Sequence, residues 1–333
     1  MRASLTPWRV LGGLAVLVLL TGVILLRIPS DEYLLLPDIA HPVAPLVHVQ
    51  GAHPSTRGAV YFVDVIERRA SELEALFPWL HSDSTLVPAG ALVPPGSTAA
   101  QMQKVDQQEM ATSQRVAAAV ALRRLGYHVV VHPNGVLVDV LDIGTHAIGK
   151  LEPDDLIVAV DGKPTPTVAA LRKVLASVRP RQTVALRVRR AGRILTEHVR
   201  TVSDQGRAIV GFGPAQSARI TLPIKVSIDA GDVGGPSAGL AFALEVMEKL
   251  GHDVVHGHRV AATGEMQLDG SVAPIGGVKQ KIFDARRANV DIFLVPAGGN
   301  AATARHFAGP VKIIPVTSFT QALRALATLP AAR

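Results

Sequence analysis

The stretch Asp229-Ala-Gly-Asp-Val-Gly-Gly-Pro-Ser-Ala-Gly-Leu240 constrains this chain most, because it runs straight into the apolar segment Ala241 to Leu250. Glycine tolerates positive φ and proline pre-sets φ for a first helical turn. Gly234-Gly235-Pro236 therefore predicts a turn that gives way to a helix over Ser237 to Leu250. The first N–H groups of a helix have no partner inside it, and here they would point at whatever lies beside the Ser237 hydroxyl, where they could hold an oxyanion. Gly235, Pro236 and Ala238 are the expected members of that nucleophile turn. From this stretch alone, Ser237 is equally well read as a simple helix cap, a position serine favours.

A second helix is expected from Val278 to Asn289, behind Pro274-Ile-Gly-Gly-Val-Lys-Gln-Lys281. At 100° per residue, Val278, Ile282, Ala285 and Ala288 form its apolar stripe. Lys281 falls on that stripe, whereas Lys279 lies on a flank beside Phe283 and Arg286. A lysine aimed at a core is costly unless something uses it. Desolvation lowers its pKa and frees the neutral amine for general-base work. The alternative is a lysine that buries its stem and snorkels to solvent.

With 333 residues, 48% hydrophobic and 18% charged, the chain has the composition of a folded protein of two or three domains. Its net charge of +7 is dispersed and no aromatic-interleaved basic motif accompanies it, so no nucleic acid is expected as a partner. The absence of cysteine excludes disulfides, cysteine nucleophiles and thiolate metal sites. Val10 to Leu26 carries no charge and is bracketed by Arg9 and Arg27, which predicts a short membrane-spanning signal anchor. No small-residue cleavage site follows it. The basic residues before it place the rest of the chain outside the cytoplasm.

Residues 29–125 predict strands at Tyr33–Leu36 and Gly58–Val65, a helix over Glu67–Leu80, a loop at Pro88–Pro95 and a long helix over Thr98–Leu125. This membrane-proximal region carries no recognisable chemistry. His41, His48 and His53 lack metal-ligand spacing along the sequence and read as surface histidines. The loop histidines His252, His256 and His258 likewise lack a carboxylate partner in sequence.

In the middle, Tyr127–Val131 and Gly135–Leu141 read as strands separated by the turn His132-Pro133-Asn134. Leu151, Pro153, Asp155, Leu156–Val160 and Asp161-Gly162 then resemble the pattern of PDZ domains, with Asp154 where glycine is usual. Val168–Val178 supplies a helix, and Thr183–Val188 with Ile194–Val199 a final hairpin. The resemblance implies a β-rich peptide-binding module over 126–204, its groove lying between the Gly135–Leu141 strand and the Val168–Val178 helix. Arg187-Val-Arg-Arg-Ala-Gly-Arg193 sits at the hairpin tip and reads as solvated surface.

From residue 205 to 333 the pattern is mixed α/β, with strands at Pro223–Ile228, Val260–Thr263, Ile292–Val295 and Val311–Pro315, a hairpin over Gly264–Ala273 and a closing helix from Phe319 to Leu329. Gly235-Pro-Ser-Ala-Gly239, Thr263-Gly-Glu265 and Pro274-Ile-Gly-Gly-Val-Lys-Gln-Lys281, in that order, resemble the proteolytic domain of Lon-type proteases. The resemblance implies a serine–lysine dyad of Ser237 and Lys281, with Thr263 orienting the lysine. It needs no cofactor and no metal, acts on protein or peptide substrates, and leaves room for a homo-oligomer, since Lon-type domains often form rings. Gly234 departs from the acidic residue usual two before the Pro-Ser pair of energy-dependent Lon enzymes. No G-x-x-x-x-G-K-[ST] phosphate loop is found, so ATP-independent action is expected. Anchor, PDZ-like module and Lon-type domain together resemble the membrane-anchored, YlbL-like group. An inactive membrane-bound peptide-binding scaffold is the competing expectation. The domain expectation is 1–28 anchor, 29–125 α/β region, 126–204 PDZ-like module and 205–333 proteolytic domain.

Overall fold

The structure, a computed structural model, describes residues 7–53, 57–93 and 98–332, without the side chains of Pro7, Arg9 and Val10. Helix α1 (Pro7–Arg27) carries exposed apolar side chains, among them Leu11, Leu17, Leu19 and Ile24. Among the described residues, no helix is long and apolar enough to cross a membrane. The expected span of 10–26 forms part of this apolar helix, and the side chain of Val10, its first residue, lies outside the described residues.

Strand β1 (Pro29–Pro37) leads to the short β2 (His41–Pro42) and β3 (Val47–Val49). The alternating stretch expected as one strand over Gly58–Val65 splits at Val63-Asp64 into β4 (Ala59–Phe62) and β5 (Val65–Ser71). The two halves serve different sheets, because β4 pairs with β2 while β5 turns back along β1. Residues 67–71, expected to be helical, are therefore strand. Helix α2 (Glu72–Leu76) starts only after Ser71, whose capping box with Glu74 sets the boundary. In place of the expected loop, β6 (Thr85–Pro88) joins β1 and α3 (Ala89–Leu92) follows; Pro94 and Pro95 lie outside the described residues. Helix α4 (Ala99–Arg124) begins at the Thr98 capping box with Gln101 and buries its Val116–Leu122 side.

The middle of the chain forms one sheet ordered β11-β10-β8-β7-β14, with β9 paired to β8. Its members are β7 (Val130–Leu141), β8 (Leu156–Val160), β9 (Lys163–Pro164), β10 (Thr183–Arg190), β11 (Arg193–Arg200) and β14 (Phe212–Thr221), with the hairpin β12 (Val202–Asp204) and β13 (Arg207–Ile209) between the last two. Helix α5 (Val168–Leu175) packs Leu171 and Leu175 into a core of Val136, Ile157, Val160, Leu186 and Val199. The two strands expected over Tyr127–Val131 and Gly135–Leu141 are one. Proline 133 cannot donate to a ladder, and the register slips there instead of breaking. At Asp154 φ is 72°, the left-handed geometry that a glycine would supply and aspartate tolerates.

Two expectations for this module change. Strand β14 pairs with β7 along its length, so the β7 edge is closed and β14 is an edge strand of the sheet, with α5 beside it. A groove between β7 and α5 cannot accept a peptide strand. Arg190, in the run expected as solvated surface, instead clamps the fully buried Asp155 in two bonds, from Nε to Oδ1 at 2.7 Å and from Nη2 to Oδ2 at 2.6 Å.

The C-terminal segment adds β15 (Val226–Ile228), α6 (Gly239–Lys249), β16 (Arg259–Ala262), the hairpin β17 (Glu265–Met266) and β18 (Val272–Ala273), α7 (Val278–Arg287), β19 (Ile292–Pro296), α8 (Gly299–His306), β20 (Lys312–Val316) and α9 (Phe319–Ala327). Its central sheet has the order β2-β4-β16-β19-β20, parallel from β4 to β20. Two of those strands come from residues 29–125, and β3 from the same region pairs with β15. Helix α4 packs on α6, and one core joins Val47, Phe62 and Val120 to Phe242, Leu294 and Leu326. Residues 29–125 thus supply an edge, a strand and a covering helix to the C-terminal layer. Parallel strands buried on both faces read as plain apolar runs, which is the pattern of Ile292–Val295.

Candidate active site

Helix α6 starts at Gly239 with Ala238 as its N-cap and no side-chain cap bond, two residues later than the sequence predicts. Ser237 therefore stands outside the helix and does not cap it. Its hydroxyl oxygen lies 2.7 Å from Lys281 Nζ. Gly235 makes the turn possible with φ of 77°, where a larger residue would be strained.

Two elements hold that turn. The Gly235 N–H donates to Asp106 O on α4 at 2.8 Å, and Ser113 Oγ, also on α4, donates to Pro236 O at 2.9 Å. From the β16–β17 link, Thr263 Oγ1 and the Gly264 N–H both donate to Ser237 O, at 3.1 and 2.8 Å. The hydroxyl of Thr263, the residue expected to orient Lys281, is buried and donates to the main chain of Ser237. Ser113 and Asp106 were missed altogether. Ser113 is a buried serine inside an alanine-rich helix, a weak signal in a region that shows no motif.

The same packing accounts for Gly234. A Cβ at that position would stand 2.7 Å from Asp106 Cβ, so α4 fills the space that a side chain there would need.

Backbone donors at the turn can be counted off. Gly235 N–H is engaged by Asp106, proline has no N–H, Gly239 N–H turns back to Pro236 O, and Leu240 N–H goes to Gly264 O. The N–H groups of Ser237 and Ala238 donate to no described residue and remain available to an oxyanion. Gly235 and Pro236 shape the turn and do not donate to it.

Lysine 281 sits in the first turn of α7, only 4% exposed, on the stripe with Val278, Ile282 and Ala285. Burial pushes its pKa down to about 8, although Asp64, Asp284 and Glu67 all favour its charged form. Asp284, one turn further along α7, is fully buried; burial and the carboxylates of Asp64 and Asp38 push its pKa up to about 8 against the Asp38 backbone and Arg287. A poorly solvated amine in contact with a hydroxyl is the arrangement needed for a base that works near neutral pH.

A cleft of about 650 Å³ opens beside the turn, between α4, the β7–β14 face and the β17–β18 hairpin. Glu109, Asp139, Asp154, Glu265 and Pro236 line it, and burial together with the neighbouring carboxylates pushes Glu109 up to about 7. In the loop that follows α6, His258 Nε2 pairs with Pro330 O at 2.8 Å and its Nδ1 lies 3.7 Å from Asp291 Oδ2.

Residues 210–325 match the family model of the Lon protease (S16) C-terminal proteolytic domain. The C-terminal domain is of the Lon type. It is 34% identical over 110 residues to Lon protease 1 of Sorangium cellulosum, which covers 30% of this chain and 13% of that protein. Against Lon protease 2 of Bacillus subtilis it is 33% identical over 115 residues, covering 34% and 20%. Against Lon protease of Clostridioides difficile it is 37% identical over 108 residues, covering 32% and 14%. The chain thus spans between an eighth and a fifth of these relatives' lengths. Among solved structures, the PDZ domain of the SdrC-like protein from Listeria innocua aligns at 20% identity and a TM-score of 0.23, covering 24% of this chain and 92% of that one. The corresponding Listeria monocytogenes domain aligns at 18% identity and the same TM-score, covering 24% and 87%.

Proposed function

We propose that the Lon-type chain is a membrane-anchored, ATP-independent serine endopeptidase acting on extracytoplasmic proteins. The observation that carries this reading is the 2.7 Å contact between Lys281 Nζ and Ser237 Oγ in a pocket that leaves the lysine 4% exposed. In the neutral form the amine accepts the Ser237 proton along that contact, and the alkoxide attacks the scissile carbonyl. The N–H groups of Ser237 and Ala238 receive the developing oxyanion, while Thr263 and Gly264 hold the serine's own carbonyl away from it. The protonated lysine then supplies its proton to the leaving amine. Once neutral again, it draws a proton from the water that releases the acyl group. No nucleotide or metal enters these steps.

The PDZ-like module is read as the substrate-receiving part. An extended peptide can add to the outer edge of β14, main chain to main chain. The chain from β14 runs within 16 residues to the nucleophile, from Thr221 to Ser237, so an occupied edge lies on the same segment as the serine turn. Helix α1, with its exposed leucines and valines, is read as the anchor. The intact Ser237–Lys281 pair counts against the inactive-scaffold reading.

The test is cleavage of a loosely folded protein such as casein by the full chain in detergent micelles, beside its Ser237→Ala variant. Loss of cleavage in the variant supports the reading, and undiminished cleavage overturns it. Placement is checked by carbonate extraction and by protease accessibility of the C-terminal domain in intact cells and in lysed ones. Release by carbonate, or protection until lysis, removes the anchored and extracytoplasmic reading.

A further inference from the structure

Behind the lysine lies a cluster that the peptidase chemistry does not use. Asp38 follows β1, His41 opens β2 and Asp64 sits in the break between β4 and β5. Their nearest side-chain oxygen and nitrogen atoms all lie within 4.8 Å of one another. His41 Nε2 is 3.3 Å from Asp38 Oδ2 and 3.7 Å from Asp64 Oδ1, and its ring is stacked on Phe62 at 4.9 Å, which fixes the direction of the nitrogen. Ligand atoms about 2.1 Å from a divalent cation stand about 3.0 to 3.4 Å apart, close to these separations.

A second observation points the same way. Asp284 is fully buried, and the Asp38 backbone N–H that favours its charged form stands outside strict hydrogen-bond geometry, so neither carboxylate oxygen is satisfied by a described residue; Asp64 Oδ1 is also buried without a partner. Asp284 faces the Asp38 backbone and the carboxylates of Asp38 and Asp64. Three carboxyl groups and one imidazole therefore converge from three chain segments, the β1–β2 link, the β4–β5 break and α7. Such unsatisfied buried acceptors are costly unless a cation or a proton meets them.

We propose that Asp38, His41 and Asp64, backed by Asp284, form a binding site for a divalent transition-metal cation. One imidazole nitrogen with carboxylate oxygens is a donor set for Zn²⁺ or Mn²⁺ and not for a thiolate-seeking ion. Because the three first residues come from the β1–β2 link and the β4–β5 break, a bound cation ties those segments together behind α7 and supports the floor under Lys281. Half-buried ligands leave a path for the ion to enter.

The test uses the full chain in micelles, carrying Ser237→Ala to prevent self-cleavage, stripped with a chelator and titrated with ZnCl₂ and with MnCl₂ in a calorimeter. Saturable uptake of one equivalent of either ion is expected, weakened at least tenfold by Asp64→Asn and by His41→Gln and unchanged by His256→Gln in the distant loop. No saturable uptake, or equal uptake by all these variants, overturns the site. Should Asp64→Asn fail to fold, His41→Gln, whose side chain is part-exposed, decides alone. Binding is read without substrate, so its failure leaves the peptidase reading untouched.

Discussion

Lys281 Nζ meets Ser237 Oγ at 2.7 Å although 44 positions separate the two residues in the chain. The contact exists because β16 and β19 are neighbours in a parallel sheet. The connections that flank them bring the start of α6 and the first turn of α7 to one end of that sheet. Ligand and catalytic sites of open α/β sheets collect at such strand ends.

Removing either member of this pair is expected to leave a folded chain without peptidase activity. Ser237→Ala and Lys281→Met each reduce kcat by about 10⁴ or more, as with other nucleophile–base units. Progress curves on casein check the loss, and unchanged circular dichroism checks the fold. A Lys281→Met enzyme within tenfold of the parent would remove the lysine from the chemistry.

Because burial holds Lys281 near 8, the reactive neutral amine increases as pH rises. The expected kcat/KM profile climbs through about pH 8 and flattens above it. Stability follows the same group in the same direction. The unfolded lysine keeps its proton up to its ordinary 10.5 while the folded one releases it near 8, so the cost of burying the charge is full below 8 and fades between 8 and 10.5. Asp284 acts oppositely: raised to about 8 from 3.8, it contributes stability that is lost as pH climbs across that window. Denaturant titrations at several pH values, repeated on Asp284→Asn, should show the decline between pH 4 and 8 flattened in the variant.

Ser113 is expected to matter for catalysis from α4, without touching substrate. Ser113→Ala removes the bond to Pro236 O at a cost of about 1 kcal/mol and loosens the serine turn. The rate should fall through kcat with KM little changed, and Ser113→Thr should restore part of it. A variant with parental kcat would show that the remaining ties, from Asp106 and Thr263, suffice.

Gly235→Ala tests the turn itself. A Cβ there meets nothing within 4 Å, so any effect comes from the positive φ alone, about 1 kcal/mol or somewhat more. Loss of activity out of proportion to a small drop in melting temperature is the expected result.

In the PDZ-like module, Arg190→Ala leaves the buried Asp155 without its guanidinium. Breaking such a pair costs about 3 kcal/mol. Urea unfolding followed by a probe in this module should show an early transition, whereas Arg187→Ala, on the exposed side of the same strand, should leave it in place.

Much of the site was legible without coordinates because it is local. The Gly-Gly-Pro-Ser turn and the 3.6-residue stripe that buries Lys281 are properties of short segments, and helix geometry alone selects Lys281 over Lys279. The partners that hold the turn were not legible. Asp106 and Ser113 act from a helix more than a hundred residues upstream, through one backbone carbonyl and one hydroxyl, and neither leaves a pattern in sequence. That the Thr263 hydroxyl donates to Ser237 O was not legible either, because a hydroxyl's direction depends on the backbone around it.

The strands divide the same way. Apolar runs such as Ile292–Val295 announce themselves, but the break of Gly58–Val65 into two strands serving two sheets does not. Nor does the choice of β14, over a peptide, to close the β7 edge. By itself the sequence determined which residues could be nucleophile and base, since conformational freedom at Gly235 and the burial of one face of α7 are written in residue type and spacing. Only the tertiary structure decided that they meet and what braces them, and that Asp38, His41 and Asp64 converge. Those contacts depend on strand pairing across the whole chain, where no local preference reaches.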